Sequence, residues 1–409
     1  MYLQSLTLEE FRSYHHQSIE LPERGLGLFG ANASGKSTLL EAIAMLATTR
    51  SPRTTTEREL INWRSGDDLG VPPFARISGH IARADRDVEL EMALQADPNR
   101  PGSAKKQIRV NGRPVRAMDA VGLLNAVLFS PEDVGLITGP PAARRRYLDL
   151  TISQLDGRYL RALARYNKIL EQRNSLLKSL LRDGVPAESP LAASQLAFWD
   201  EELVDVGSRV LSRRIDAIRQ LSPLVRTRFS WLTEGGTIDL TYACSVGEDL
   251  VVNADRASSL SDLELRVART YSAILHERRV EEVRRGMSLF GPHRDDFAMS
   301  IDGVDLASFG SRGQQRLAVV ALKLAEADLM VAETEERPVL LLDDVLSELD
   351  ERHRRMLTSA ITEIGSQVIM TTTDESTFEL PKLRTLPRAE VEAGRIGDFS
   401  PDLNSSVQS

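Results

Sequence analysis

A single cysteine, Cys244, stands in 409 residues, so the chain makes no internal disulfide, which fits a reducing cytosol. No apolar run approaches the roughly 18 residues that a membrane span needs. The opening Met1-Tyr2-Leu3-Gln4-Ser5 carries no basic stretch, and Glu9 and Glu10 interrupt the apolar residues behind it. No cleavable export signal is expected, and the expected location is the cytoplasm. Internal repeats and long low-complexity tracts are also missing, and 26 Gly with 18 Pro are too few for a collagen-like or disordered chain. The remainder, 42% hydrophobic and 27% charged, is that of an ordinary globular protein. The length exceeds that of a usual single domain, so two lobes are expected.

Fifty-one basic against 59 acidic residues give a net charge of -8, which on average disfavours nucleic acid. The distribution is uneven. Residues 101 to 182 hold 15 Lys/Arg and 6 Asp/Glu, a local +9 that leaves -17 for the rest. Such segregation focuses a field that the mean conceals, although a solvated helix face has the same signature.

The first hundred or so residues read as short strands and turns, from the alternation in Leu3-Gln4-Ser5-Leu6-Thr7-Leu8 to an Asn-Gly hairpin at Val110-Asn111-Gly112-Arg113. Asp97 to Ser103 is a turn cluster. From about Tyr159 the spacing becomes helical, through Leu160, Leu163, Tyr166, Leu170, Leu177 and Leu181, with a second series from Leu203 to Val225 able to pair with it as a hairpin. Strand-like residues return near Thr237 to Val246, Leu263 to Arg285 is helical, and the tail beyond about Ile396 is expected to be disordered.

Gly30-Ala31-Asn32-Ala33-Ser34-Gly35-Lys36-Ser37 fits the phosphate-loop pattern and sits between an apolar strand, Gly25-Leu26-Gly27-Leu28-Phe29, and helically spaced Leu39, Leu40, Ile43 and Leu46. Backbone N–H groups at a helix start favour an anion there, Lys36 reaches the outer phosphates, and Ser37 is placed to ligate Mg2+. Val339-Leu340-Leu341-Leu342-Asp343-Asp344 is an apolar strand ending in two acids, a pattern of a strand buried on both faces. Asp343 is the candidate Mg2+ partner and Asp344 the candidate to orient or deprotonate the attacking water. About 30 residues upstream, Ser308-Phe309-Gly310-Ser311-Arg312-Gly313-Gln314-Gln315-Arg316 opens a long apolar helix, with Ser311 as its cap. Ser347-Glu348-Leu349-Asp350 follows the acidic strand.

In this order the motifs resemble the ATPase heads of the ABC superfamily and, within it, the SMC-like branch that acts on DNA. Glu10-Phe11-Arg12-Ser13-Tyr14, Phe129-Ser130-Pro131-Glu132-Asp133, Gly139-Pro140 with Arg144-Arg145-Arg146-Tyr147-Leu148-Asp149, and Gly291-Pro292-His293-Arg294-Asp295-Asp296 are similar to segments of the RecF family of bacterial recombination mediators. The resemblance covers roughly residues 1 to 375. It implies an α/β fold, a P-loop ABC-type ATPase head with a mixed sheet and flanking helices, plus an inserted, mainly helical lobe. The expected division is 1–145, 146–285 and 286–409. It implies ATP and Mg2+ as cofactors, with nucleotide contacts at Gly30, Ala31, Asn32, Ala33, Ser34, Gly35, Lys36, Ser37, Thr38 and Arg12, and with Ser311, Gly313 and Gln314 acting from a second copy of the chain. Lys36, Ser311 and Asp344 take the catalytic roles, and Ser37 and Asp343 the metal. It further implies an ATP-dependent homodimer that binds double-stranded, gapped and single-stranded DNA and loads RecA, with RecR and RecO as partners, in repair, replication and the SOS response. The basic zone nominates Arg144, Arg145, Arg146, Lys105 and Lys106 as phosphate contacts.

Four departures sharpen the expectations. Ala33 replaces a glycine often found in such loops, a change tolerated at negative φ. Asp344 stands where most ABC heads carry Glu, so slow, DNA-stimulated hydrolysis is expected. No glutamine near Ser130 to Asp133 supplies the usual Mg2+ and water contact, which leaves Glu132 as a stand-in. No histidine follows Val368-Ile369-Met370, where Thr371-Thr372-Thr373-Asp374 offers hydroxyls instead. His293-Arg294-Asp295 has the start of a kinase catalytic loop, but Ser300 stands where that loop needs Asn; the cluster is either a loop near the nucleotide or an internal ion network. An ABC transporter ATPase subunit is the competing reading, and lacks both its glutamine and its histidine here. A chromosome-organising SMC protein needs a far longer insertion, and a small-molecule kinase lacks the signature turn.

Overall fold

The computed structural model describes residues 1–66, 72–100 and 102–399. Pro101, within the expected Asp97 to Ser103 turn, and the tail from Ser400 onward lie outside the described residues. The chain forms two compact units, one of residues 1–134, 231–234 and 316–409, the other of 135–230 and 235–315. Their seams fall at 134/135 and 315/316, against the expected 145/146 and 285/286. Residues 286 to 315 belong to the second unit because Asp296–Ile301 pairs in register with Ile238–Ala243.

The first unit holds two six-stranded sheets. One is antiparallel and built from the amino-terminal strands, with Tyr2–Phe11 between Tyr14–Glu20 and Phe74–Ala82. Alternation buries Leu6 and Leu8 on one face of that strand, and Phe11 is buried beyond Glu10, whose φ of 49° breaks the alternation. Its far edge is the Asn-Gly hairpin read from the sequence: Val110 pairs with Arg113, and Asn111 and Gly112 take φ 50° and 74°, as a type I′ turn requires. The other sheet runs Arg388–Glu392, Gly25–Phe29, Val368–Thr372, Val339–Asp343, Ala126–Phe129, all parallel, with Arg395–Ile396 added antiparallel at one edge. Val339 to Leu342 are buried on both faces, as the unbroken apolar run demands. Helix Lys36–Thr48 buries Leu39, Ile43, Met45 and Leu46 in a core shared with residues of both sheets.

In the parallel sheet, the strand leading to the phosphate loop and the strand ending in the acids are not neighbours. Val368–Thr372 lies between them, with Thr371 in register with Leu28 on one side and Asp343 on the other. The three carboxyl ends converge on one edge, where open α/β sheets bind ligands.

The second unit is mainly helical. Gly157–Arg182, capped by Asp156, runs closest to Leu260–Arg285, and the 44-residue helix Pro190–Thr233 brings Gly207 against the rings of Tyr166 and Tyr271. The two helical series do meet, through Arg165–Glu202 and Arg173–Asp200, and Leu260–Arg285 adds a third helix to the expected pair. At its centre Arg173, with no exposed side-chain surface, is held by Glu282 at 2.6 Å, Asp200 at 2.8 Å and Ser288 at 2.7 Å. A three-stranded antiparallel sheet, Val304–Asp305, Asp296–Ile301 and Ile238–Ala243, completes the unit.

Candidate nucleotide site

The loop after Gly25–Phe29 closes tightly. Gly30 has φ 148°, and a Cβ there would lie 2.3 Å from the Val391 carbonyl oxygen, so no other residue fits. Gly35 has φ 116° immediately before helix Lys36–Thr48. Ala33 takes φ 63°, which corrects the expected negative value: the loop needs a left-handed residue at the position where related loops use glycine, and alanine bears the strain. Lys36 Nζ donates to the carbonyls of Gly30 and Ala31, both at 2.8 Å. Burial holds its pKa below the ordinary lysine value, opposed by the nearby Asp344 and Asp343 carboxylates.

Ser37 and Asp343, 306 residues apart in the chain, meet directly: Ser37 Oγ donates to Asp343 Oδ1 at 2.7 Å. Thr371, on the intervening strand, donates to the same Oδ1 at 2.9 Å. Thr371 Oγ1 also accepts from the Asp344 N–H at 3.1 Å. Thr371 is thereby committed to the two acids, and Thr373 is the threonine of the run that, with it, lines the cleft. Asp344 has φ 52°, a left-handed conformation that short Asp adopts more readily than Glu, which gives a backbone reason for its presence here. Its Oδ1 is buried without a hydrogen-bond partner, and burial raises the carboxyl above the ordinary aspartate value, with Asp343 adding repulsion and Lys36 opposing. The Ser34 hydroxyl in the loop is likewise buried and unpartnered.

These groups border a cleft of about 520 Å³ lined also by Arg12, Asn32, Thr38, Arg53, Glu59, Ile61 and Trp63. The cleft joins a cationic, donor-rich loop to two carboxylates and fits a polyphosphate. A serine hydroxyl and a carboxylate within 2.7 Å are hard oxygen donors of the kind Mg2+ takes, with phosphate and water oxygens completing its shell. Among the described residues no three His, Cys, Asp or Glu side chains cluster as a metal cage.

The signature turn lies in the second unit. Ser311 and Gln314 form a capping box at the start of helix Arg312–Thr334: Ser311 Oγ accepts from the Gln314 N–H at 3.2 Å, and Gln314 Oε1 accepts from the Ser311 N–H at 2.9 Å. Ser311 to Gln314 are exposed, and a Cβ on Gly313 would meet nothing within 4 Å.

The basic zone is less available than its charge suggested. Arg144 is a correction: its guanidinium holds Asp296 through two bonds of 2.7 Å and donates to the Gly139 carbonyl at 2.8 Å, so its donors are spent inside the unit. Arg145 donates to the Asp295 carbonyl at 2.7 Å. Arg146 also has a partner within the protein. Lys106 binds the Thr49 carbonyl at 2.9 Å and pairs with Glu57, whereas Lys105 is 71% exposed, with Asp97 at 3.9 Å. His293 to Asp296 form an internal network of the second unit: His293 Nδ1 meets Tyr166 Oη at 2.6 Å, and Asp295 accepts from Tyr242 Oη at 2.7 Å and the Ser245 N–H at 2.8 Å. Burial pushes the His293 pKa down to about 4 and raises the Asp295 carboxyl. Glu132 accepts from Ser130 Oγ at 2.8 Å and does not line the cleft.

Residues 2–387 match the family described as the RecF/RecN/SMC N terminal domain. A "DNA replication and repair protein RecF" from Thermomicrobium roseum is 44% identical over 398 residues, covering 97% of this chain and 99% of that one. The chain belongs to the RecF family. The protein of that name from Roseiflexus castenholzii is 42% identical over 404 residues, with the same coverage. A solved structure of the recombination mediator protein RecF with ATP in the RecFOR pathway superposes with a TM-score of 0.82 at 29% identity, covering 98% of this chain and 97% of that one. The Smc head domain from Pyrococcus furiosus shares the fold, with a TM-score of 0.53 at 17% identity over 97% of this chain and 95% of that one. The RecF-family chain is thus an SMC-like ABC-type α/β ATPase fold, and among its described residues no helix is long and apolar enough to cross a membrane. Composition and spacing gave no signal for Arg53 or Trp63, which the fold brings to the cleft; Thr371, one of the hydroxyls offered in place of a histidine, is there as well. Trp63 is 76% exposed, with the Arg64 guanidinium 4.6 Å from its ring centre.

Proposed function

We propose that this protein is an ATP-dependent DNA-binding switch of recombinational repair. The observation that carries the reading is the 2.7 Å bond between Ser37 and Asp343, which unites the phosphate loop with the acidic strand in one catalytic geometry. ATP binds with its phosphates in the loop from Gly30 to Thr38 and its nucleoside toward Arg12, Arg53 and Trp63. Mg2+, held by Ser37 and Asp343, neutralises phosphate charge when bound. Asp344 orients the attacking water and takes its proton, helped by a carboxyl that burial makes more basic than an ordinary aspartate. Hydrolysis is slow and stimulated by DNA.

The exposed Ser311, Gly313 and Gln314 reach the nucleotide of a second copy, so ATP dimerises the protein. The dimer binds double-stranded and gapped DNA through phosphates, using exposed cations such as Lys105 rather than Arg144. It works in the cytoplasm with RecR and RecO as partners to load RecA during repair, replication restart and the SOS response. The transporter alternative gains nothing here, because relatives matching over nearly the whole chain carry DNA replication and repair names. The test is ATP hydrolysis with and without gapped duplex DNA. Stimulation that disappears in Lys36→Ala is expected; hydrolysis unchanged by that substitution would reject the reading.

A further inference from the structure

Four residues beyond Ser37, on the same helix, Glu41 has a side chain with no exposed surface. A carboxylate is buried so completely only when paired, and the partners of Glu41 are Arg12, which lines the cleft, and Ser51, two residues before cleft-lining Arg53. Arg12 Nε donates to Glu41 Oε2 at 3.0 Å and Arg12 Nη2 to Oε1 at 2.8 Å, a fork that fixes the guanidinium plane. Ser51 Oγ donates to Oε1 at 2.6 Å and accepts from the N–H groups of Arg53 and Thr54, each at 3.0 Å. Arg12 itself has φ 54°, and its N–H donates to the Leu60 carbonyl at 2.9 Å, next to cleft-lining Ile61. Arg12 and Arg53, the two arginines of the cleft, thus depend on one carboxylate. With Nε and Nη2 engaged and 26% of its side chain exposed, Arg12 keeps Nη1 for a ligand.

We infer that Glu41 is a positioning residue for the nucleotide: by gripping Arg12 and the Ser51–Thr54 turn, it sets the cationic wall at the distance from the phosphate loop that a triphosphate needs. The inference rests on the ATP reading above. It differs from a purely architectural role in one respect, that its effect on ATP passes mainly through Arg12, with a smaller share through Ser51 and the Arg53 turn.

The experiment measures ATP affinity by calorimetry, and kcat and KM for hydrolysis, in the full chain and in Glu41→Gln, Arg12→Ala and the double variant. Glutamine keeps the shape and one acceptor but loses the charge. Glu41→Gln should weaken ATP about tenfold, the worth of one charge-assisted hydrogen bond, and raise KM with kcat within about twofold. In the Arg12→Ala background the same change should cost at most the roughly threefold loss that runs through Ser51. Affinity of Glu41→Gln within about twofold of the parent, or a second full loss on top of Arg12→Ala, overturns the inference. Should Glu41→Gln fail to fold by circular dichroism, Ser51→Ala replaces it. That variant leaves the Arg12–Glu41 pair in place, and about a threefold loss is expected from one neutral hydrogen bond; no loss overturns the inference. Lys36→Ala separates the two levels, since normal ATP binding in that variant defeats the ATP reading itself.

Discussion

Asp344→Asn should cost the protein its hydrolysis and make its fold more stable. In the parent the carboxyl is raised by burial, its Oδ1 has no partner, and its backbone sits at φ 52°. A raised aspartate pKa means that the ionised form is disfavoured in the folded state. The associated stability is present below the unfolded value, near pH 4, and is lost as pH rises through the folded value. Ionised, Asp344 is therefore a desolvated, partly uncompensated charge. Asparagine removes that charge, keeps the shape, and tolerates the left-handed backbone at least as well. An unpaired buried polar atom costs more when charged than when neutral, and for a half-buried residue that difference is about 1 kcal/mol, so Asp344→Asn, which keeps the polar atom and removes its charge, should gain about 1 kcal/mol at pH 7. The gain should vanish near pH 3, where both chains are neutral at this position. Denaturant titrations at the two pH values measure it, and ATPase assays should show a loss of about a hundredfold or more with ATP binding retained. A variant that hydrolyses ATP like the parent, or that is less stable at pH 7, refutes the assignment of Asp344 as the base poised by burial.

Ala33→Gly should stabilise the first unit by about 0.5–1 kcal/mol, since relief of the left-handed strain exceeds the entropy glycine adds to the unfolded chain; chemical denaturation reads it. Arg144→Ala should destabilise by about 3 kcal/mol because it strands Asp296, while changing the salt dependence of DNA binding little; calorimetry and affinity against log salt separate the two. Trp63→Ala should raise KM for ATP about tenfold through loss of base stacking, with kcat near the parent's, as steady-state kinetics would show.

The elements legible in the sequence were those with a rule of their own. An apolar strand before a glycine loop, an acid pair after four apolar residues, and an Asn-Gly turn each follow from local backbone chemistry, and the fold places them as read. Thr371 was legible only as one hydroxyl of a threonine run; its hold on both acids comes from strand order, because its strand lies between the one leading to the phosphate loop and the one ending in Asp343. Arg144 looked like a phosphate contact because a charge count has no memory of partners, and Asp296 lies 152 residues away. Glu41 was invisible for the same reason: an acid on an amphipathic helix reads as solvent-facing until the fold buries it under Arg12. Ala33 deceived in a subtler way, since a residue name does not state its φ.

The central claim is that Ser311 of one copy completes the site holding ATP on Lys36 of another, and a mixing assay tests it most directly. Lys36→Ala and Ser311→Arg should each abolish DNA-stimulated hydrolysis and ATP-dependent dimers when alone. Mixed in equal amounts, they can form a heterodimer with one intact composite site, so hydrolysis should return to a fraction of the parent rate. A mixture as inactive as its components, or dimers undiminished in both single variants, would contradict the claim.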